Sequence, residues 1–376
     1  MKRFKRYRVG LIITAIFGFV ILLGLDIIRR EALTHIPPEI NLIGHKGYIS
    51  SAEFSANGIF VLTGSHDMTA RLWNATTGKT IRVFVGHTGI VNGASFSPDS
   101  SRVATAGADG KVIIWETATG IRIKVLTELW EEFTSAQFAP DGKHIAVTAD
   151  SGIIRLWDTK SFKLTFSSLK SLYGGTTIVF SPNSRYIANT GWVHTGQLLN
   201  ARDGRLINEL PGRSNTGANA CFSPDSSVLV TTGSDNVARI WNTQTGSETG
   251  TGLKHTSIVR SAGFSRDGRQ LNTVCEDGSI HIWDTFNHRQ LKMFSGESGC
   301  HGFLKLSPDG KLMAIGREMQ STNIVDSQNG KLIGVVDGYC NGNSHRVFSP
   351  NGRYIVGPHG IDAHIWRCER SLVTLR

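Results

Sequence analysis

The sequence predicts an all-β chain arranged as a closed ring of eight four-stranded sheets, and three observations carry that reading. One pentapeptide recurs: FSANG (54–58), FSPDS (96–100), FAPDG (138–142), FSPNS (180–184), FSPDS (222–226), FSRDG (264–268), LSPDG (306–310) and FSPNG (348–352), always 42 residues apart. Between these turns lie short runs of β-branched and small apolar residues, with turn signals about every 8–12 residues, a strand pattern and not a helical one. A unit of this size makes one small twisted sheet that cannot cover both of its own faces, so stacked copies closing on themselves are the stable arrangement, a β-propeller.

The head of the chain comes first in the order of elements. Residues 1–8 form a basic flank, and residues 9–25 run without a charge. As a helix that run spans about 25 Å, short of the ~30 Å hydrocarbon core. Ile27, Ile28 and snorkelling Arg29 and Arg30 extend it, so 9–28 is expected to be one transmembrane signal-anchor helix. No small-x-small cleavage site follows Leu25, where the chain reads DIIRREALTHI, which favours an anchor over the alternative of a cleaved signal peptide. More positive charge precedes the segment than follows it. The expected arrangement is therefore a single-pass membrane protein with a cytoplasmic N-terminus and the repeats outside the cytoplasm. Residues 29–39, stiffened by Pro37 and Pro38, are a short linker.

Residues 40–376 hold the eight repeats. In "GHTGIVNGASFSPDSSRVATAGADGKVIIWETATG" (86–120), three strand runs stand out at 90–96, 102–106 and 111–115, and a fourth follows at 121–126. Pro98-Asp99 makes the first turn, because proline presets φ and aspartate bonds back to the backbone. The pentapeptide is thus read as the hairpin joining the first two strands of each blade. Closing the ring requires an outer strand for the last blade. Both INLIGH (40–45) and RSLVTL (370–375) are candidates, and joining the two chain ends in one blade would leave no exposed edge.

Charge and cysteine use exclude two classes of function. The net charge is +10, but residues 1–30 carry seven Lys/Arg against Asp26 alone, which leaves +4 for the other 346 residues. No concentrated basic stripe remains, so nucleic acid is not an expected partner. Cys221, Cys275, Cys300, Cys340 and Cys368 show no CxxC spacing, so no zinc site is expected. They read as small buried hydrophobes, with a Cys300–Cys340 bridge as the alternative.

The repeats resemble the WD-repeat family of β-propellers across essentially all of residues 40–376. The likeness rests on Gly-His, the Phe-Ser-Pro-Asp-Gly turn, a Ser/Thr, an Asp and the tryptophans Trp73, Trp115, Trp157, Trp241, Trp283 and Trp366, with Leu199 and Val325 in register where Trp is missing. Seven blades is the commoner ring in the family and stands as the alternative to eight. The resemblance implies a buried hydrogen-bonded set in three repeats: His45, Thr63, Asp67 and Trp73; His87, Thr105, Asp109 and Trp115; His255, Thr273, Asp277 and Trp283. A buried carboxylate needs donors, and an imidazole and a hydroxyl supply them. The same residue types would suit a catalytic triad, but a triad is needed once, so the sets are read as structural. The fifth repeat has Arg213 in place of the His. The third, fourth, seventh and eighth have Leu129, Ser171, Glu297 and Tyr339 there.

Function is expected on the loop face. The family binds partners where the loops before the first strand and between the second and third strands emerge, and in repeats three and four these loops are aromatic. Trp130, Phe133, Tyr173 and Trp192, rimmed by Glu131, Glu132, His194 and Arg213, are the candidate protein- or peptide-binding sector, because exposed aromatics anchor interfaces. The competing reading is that some of these rings pack inward. No GxSxG, HExxH, P-loop or dinucleotide fingerprint appears, and no cofactor is expected. Quinone-dependent dehydrogenases share the eight-bladed ring, but their Trp after Thr-Gly is missing from WNATTGKT (73–80). The expectation is a membrane-tethered, non-catalytic interaction scaffold. A propeller enzyme, or a small-ligand sensor or envelope-assembly factor using the central channel, is the alternative.

Overall fold

The computed structural model describes residues 36–127, 131–168, 176–191, 195–211, 219–296, 300–317, 321–337 and 347–368. They form eight separate four-stranded antiparallel sheets, each of four successive strands except the last. Blade one comprises Ile49–Phe54, Phe60–Ser65, Thr69–Asn74 and Thr80–Val85, running from the axis outward. Blade eight takes Val347–Phe348, Tyr354–His359 and Asp362–Arg367 from the end of the chain, and its outer strand Ile40–Leu42 from the start. Ile40, Asn41 and Leu42 pair with Ile365, His364 and Ala363. INLIGH therefore closes the ring, while 370–375 lie outside the described residues.

The core is not one cluster but eight, one at each junction between adjacent blades. Between blades one and two, Leu62, Leu72 and Phe84 meet Val91, Phe96, Ile113 and Trp115. At the junction joining the chain ends, Leu42, Val356 and Ile365 meet Ile49, Val61 and Trp73. Each blade's tryptophan packs against the preceding blade, and Leu199 and Val325 fill that place in blades four and seven. Neither face of a sheet could be buried without its neighbours, which is the physical reason for the ring.

The repeated pentapeptide is the hairpin between first and second strands, as its turn chemistry predicts. In blade two Ser97 Oγ donates to Asp99 Oδ1 at 2.6 Å while the Arg102 amide donates to Ser97 Oγ at 2.9 Å. The same Ser-to-Asp/Asn bond recurs at Ser55, Ser181, Ser223, Ser265, Ser307 and Ser349. The fifth residue of every pentapeptide lies in the left-handed region, φ +58° to +74°. Glycine suits that position in five repeats, but Ser100, Ser184 and Ser226 occupy it in the others.

Among the described residues no helix is long and apolar enough to cross a membrane. The segment 9–28 lies outside them.

Candidate functional site

Two of the three anticipated hydrogen-bonded sets form completely. In blade one the Trp73 indole donates to Thr63 Oγ1 (2.8 Å), Thr63 lies 2.8 Å from His45 Nε2, and His45 Nδ1 lies 2.7 Å from Asp67 Oδ2. Blade two repeats the chain through Trp115, Thr105, His87 and Asp109 at 2.9, 2.8 and 2.9 Å. One proton arrangement satisfies every member: indole to hydroxyl, hydroxyl to imidazole, imidazole to carboxylate. Burial pushes the His45 pKa below its usual value despite Asp67, so its ring is neutral at pH 7. Burial alone would raise Asp67, but the Thr69 hydroxyl, the Lys46 amide and His45 outweigh it and hold the carboxyl at about 2. The loop that delivers His45 passes so close that a Cβ at Gly47 would sit 2.6 Å from the Asp67 amide, which is why Gly follows the His at that spacing.

The third set is broken, a correction to the sequence expectation. His255 Nε2 keeps Thr273 (2.8 Å), and Trp283 donates to Thr273 (3.0 Å), but His255 Nδ1 faces the Leu253 carbonyl at 3.0 Å. Asp277 keeps the Ser279 hydroxyl (2.6 Å) and amide (2.9 Å), as Asp67 keeps those of Thr69, but not the bond to the histidine. The imidazole of His281 stands edge-on to His255, ring centroids 4.7 Å apart. Among the described residues blade five keeps Trp241 to Thr231 (2.9 Å), with Asp235 paired to Arg239 at 2.7 Å.

In the aromatic sector of blades three and four, Phe133 is not an exposed anchor. It is 1% exposed in the cluster between blades two and three, with the Arg155 guanidinium 5.9 Å from its ring centre. Glu131 pairs with Arg155 and accepts from Ser151 Oγ at 2.6 Å. These two residues follow the inward-packing alternative, whereas the Glu132 side chain is exposed. Trp130, Tyr173, Trp192, His194 and Arg213 lie outside the described residues.

The same loop face carries a second feature that the sequence reading missed. At the seam of blades eight and one, Tyr48 (62% exposed), Met68 (46%) and Ile361 (49%) are all exposed, on loops tied to one another through the backbone. Tyr48 and His66 meet edge-to-face at 6.1 Å. The Ile49 amide bonds the Gly360 carbonyl at 2.9 Å and so brings the Ile361 loop alongside. The available signal was the pair Tyr48 and Met68 in the two loops that flank the His45–Asp67 contact.

Along the axis runs a cavity of about 300 Å³, lined by the innermost strands. Positions 42 apart meet at one level of it: Glu53, Ser95, Gln137, Val179, Lys305 and Val347. Enclosure by the strands pushes Glu53 up to about 7 although the Phe96 amide donates to its Oε1 at 2.6 Å. Enclosure by the channel wall lowers Lys305, although its side chain reaches solvent in the channel, and raises half-buried Cys221 to about 12, leaving an unreactive thiol.

Eight four-stranded blades, their inter-blade tryptophans and the His–Thr–Asp chains define a WD-repeat β-propeller. Residues 40–284 match the family described as the IFT122 first beta-propeller, and the chain belongs to that family of propellers. It is also similar to the small ribosomal subunit protein RACK1 of Drosophila melanogaster, 41% identical over 54 residues. That stretch is 14% of this chain, and the chain spans only 17% of that protein's length in the match.

Proposed function

We propose that this protein is a non-catalytic scaffold that binds a protein or peptide partner on its loop face. The exposed apolar seam of Tyr48, Met68 and Ile361 is the observation that carries the reading. Large side chains exposed together on a well-packed scaffold are the usual anchors of an interface. WD-repeat propellers typically work through protein partners, and membership of that family supports the same conclusion. Trp130, Tyr173 and Trp192, candidate anchors from the sequence alone, are proposed to contribute to the same binding. The apolar segment 9–28 and its basic flank support a membrane tether, with the propeller on the extracytoplasmic side.

The test is crosslinking in intact cells followed by identification of the captured proteins. A specific partner captured by the intact chain should be lost when Tyr48→Asp and Met68→Asp are introduced together, with the melting temperature unchanged. Truncating one interface anchor costs about 2 kcal/mol, about thirtyfold in affinity. Undiminished capture by the double variant sinks the seam as the docking face. Protease accessibility of the propeller in whole cells tests the sidedness.

A further inference from the structure

Blade six departs from blades one and two at three linked places. Its Asp277 has left the histidine, its second strand ends in Cys275, and its third strand carries His281. At the positions of Cys275 and His281, blade one has Ser65 and Arg71, blade two Gly107 and Ile113, and blade five Gly233 and Arg239. A carboxylate partner for His255 has thus been replaced by an imidazole and a thiol. The donor atoms of His255, Cys275 and His281 all lie within 4.8 Å of one another.

We propose that His255, Cys275 and His281 form a binding site for Zn²⁺ inside blade six. Two nitrogens and one sulfur are the donors that favour zinc over calcium or magnesium, which prefer oxygen. Bonds of about 2.0–2.3 Å require tetrahedral donors about 3.3–3.8 Å apart, so side-chain rotations of about 1 Å assemble the site. The surroundings hold the rings for this. Thr273 Oγ1 holds His255 Nε2 at 2.8 Å; as Nδ1 turns from the Leu253 carbonyl to the ion the ring proton passes to Nε2, which then donates to Thr273 Oγ1. Gln290 Oε1, 3.0 Å from His281 Nδ1, orients that ring with Nε2 toward Ser279 and the site. Outer hydrogen bonds of this kind set the tautomer of metal-binding histidines.

Cys275 is fully buried and His281 4% exposed, while His255 is partly exposed and gives the ion its way in. On binding, the Cys275 thiol loses its proton to solvent, and the thiolate and two neutral imidazoles donate their lone pairs. The site then carries a net charge of +1, with a fourth position open to water on the His255 side.

The experiment uses the full chain, stripped with chelator and titrated with Zn²⁺, and separately with Co²⁺ as a spectroscopic probe. A single high-affinity ion is expected, with a sulfur-to-cobalt charge-transfer band and a raised melting temperature. Cys275→Ser abolishes the band. His281→Arg installs the residue that blades one and five carry there, so it folds but does not bind. Gln290→Ala weakens binding by about 10–100-fold. Absence of the band in folded wild-type protein, or equal zinc affinity in Cys275→Ser and His281→Arg, overturns the proposal.

Discussion

Replacing Thr63 by valine keeps the shape of a fully buried side chain and removes one oxygen. That oxygen accepts the Trp73 indole and bonds His45 Nε2, both at 2.8 Å. Valine leaves two buried polar groups unpartnered, each costing about 1–3 kcal/mol, so the loss is about 2–6 kcal/mol. Thr231 in blade five is the internal control, since among the described residues its hydroxyl serves the Trp241 indole alone. Thr231→Val should therefore cost about 1–3 kcal/mol. Native-state hydrogen exchange read by mass spectrometry reports the opening free energy of each blade separately, so it needs no two-state assumption for the ring. Blade one in Thr63→Val should lose clearly more protection than blade five in Thr231→Val. Equal losses, or a neutral Thr63→Val, would refute the claim that the four-membered chain is worth more than the lone indole bond.

Three further outcomes follow from the same geometry. Ser100→Gly relieves a left-handed serine and should stabilise the protein by about 1 kcal/mol. Ser184→Gly should gain little, because Ser184 Oγ accepts the Asp141 amide of the neighbouring blade at 2.9 Å and glycine loses that bond; chemical denaturation compares the two. Glu53, raised from an ordinary 4.5 to about 7, holds its proton more tightly folded than unfolded, so its contribution is fully present below pH 4.5 and is lost as pH rises through 7. The full effect is about 3 kcal/mol, reduced to about 1–3 kcal/mol by channel water. Melting temperature should fall between pH 5 and 8 in the wild type and less so in Glu53→Gln.

Much of the fold was legible because it is periodic. The pentapeptide turn, the four strands per unit, and the places taken by Leu199 and Val325 all follow from one 42-residue spacing, and the structure keeps each of them. For Phe133 the sequence reading leaves anchor and inward packing open, although its register partners Ile49 and Val91 are core residues, 5% and 0% exposed. Aligning the repeats on those two positions would have placed it inside. The broken third set was less accessible. His255, Thr273, Asp277 and Trp283 match the pattern in identity, and only the three-dimensional neighbourhood shows His255 turned to the Leu253 carbonyl with His281 beside it. The channel ring also needed closure of the circle, because residues about 250 apart in sequence face one cavity.

The most direct test of the closed ring is a pair of cysteines at Asn41 and His364, which are register partners across the seam where the two ends of the chain meet. Paired strand positions lie within the ~4.4–6.8 Å Cα separation that a disulfide spans. The account predicts that Asn41→Cys with His364→Cys oxidises readily within one chain and raises the melting temperature, while neither single variant does so. Failure of the reduced, folded double variant to form that bond would mean that Ile40–Leu42 does not complete blade eight and that the circle is not closed there.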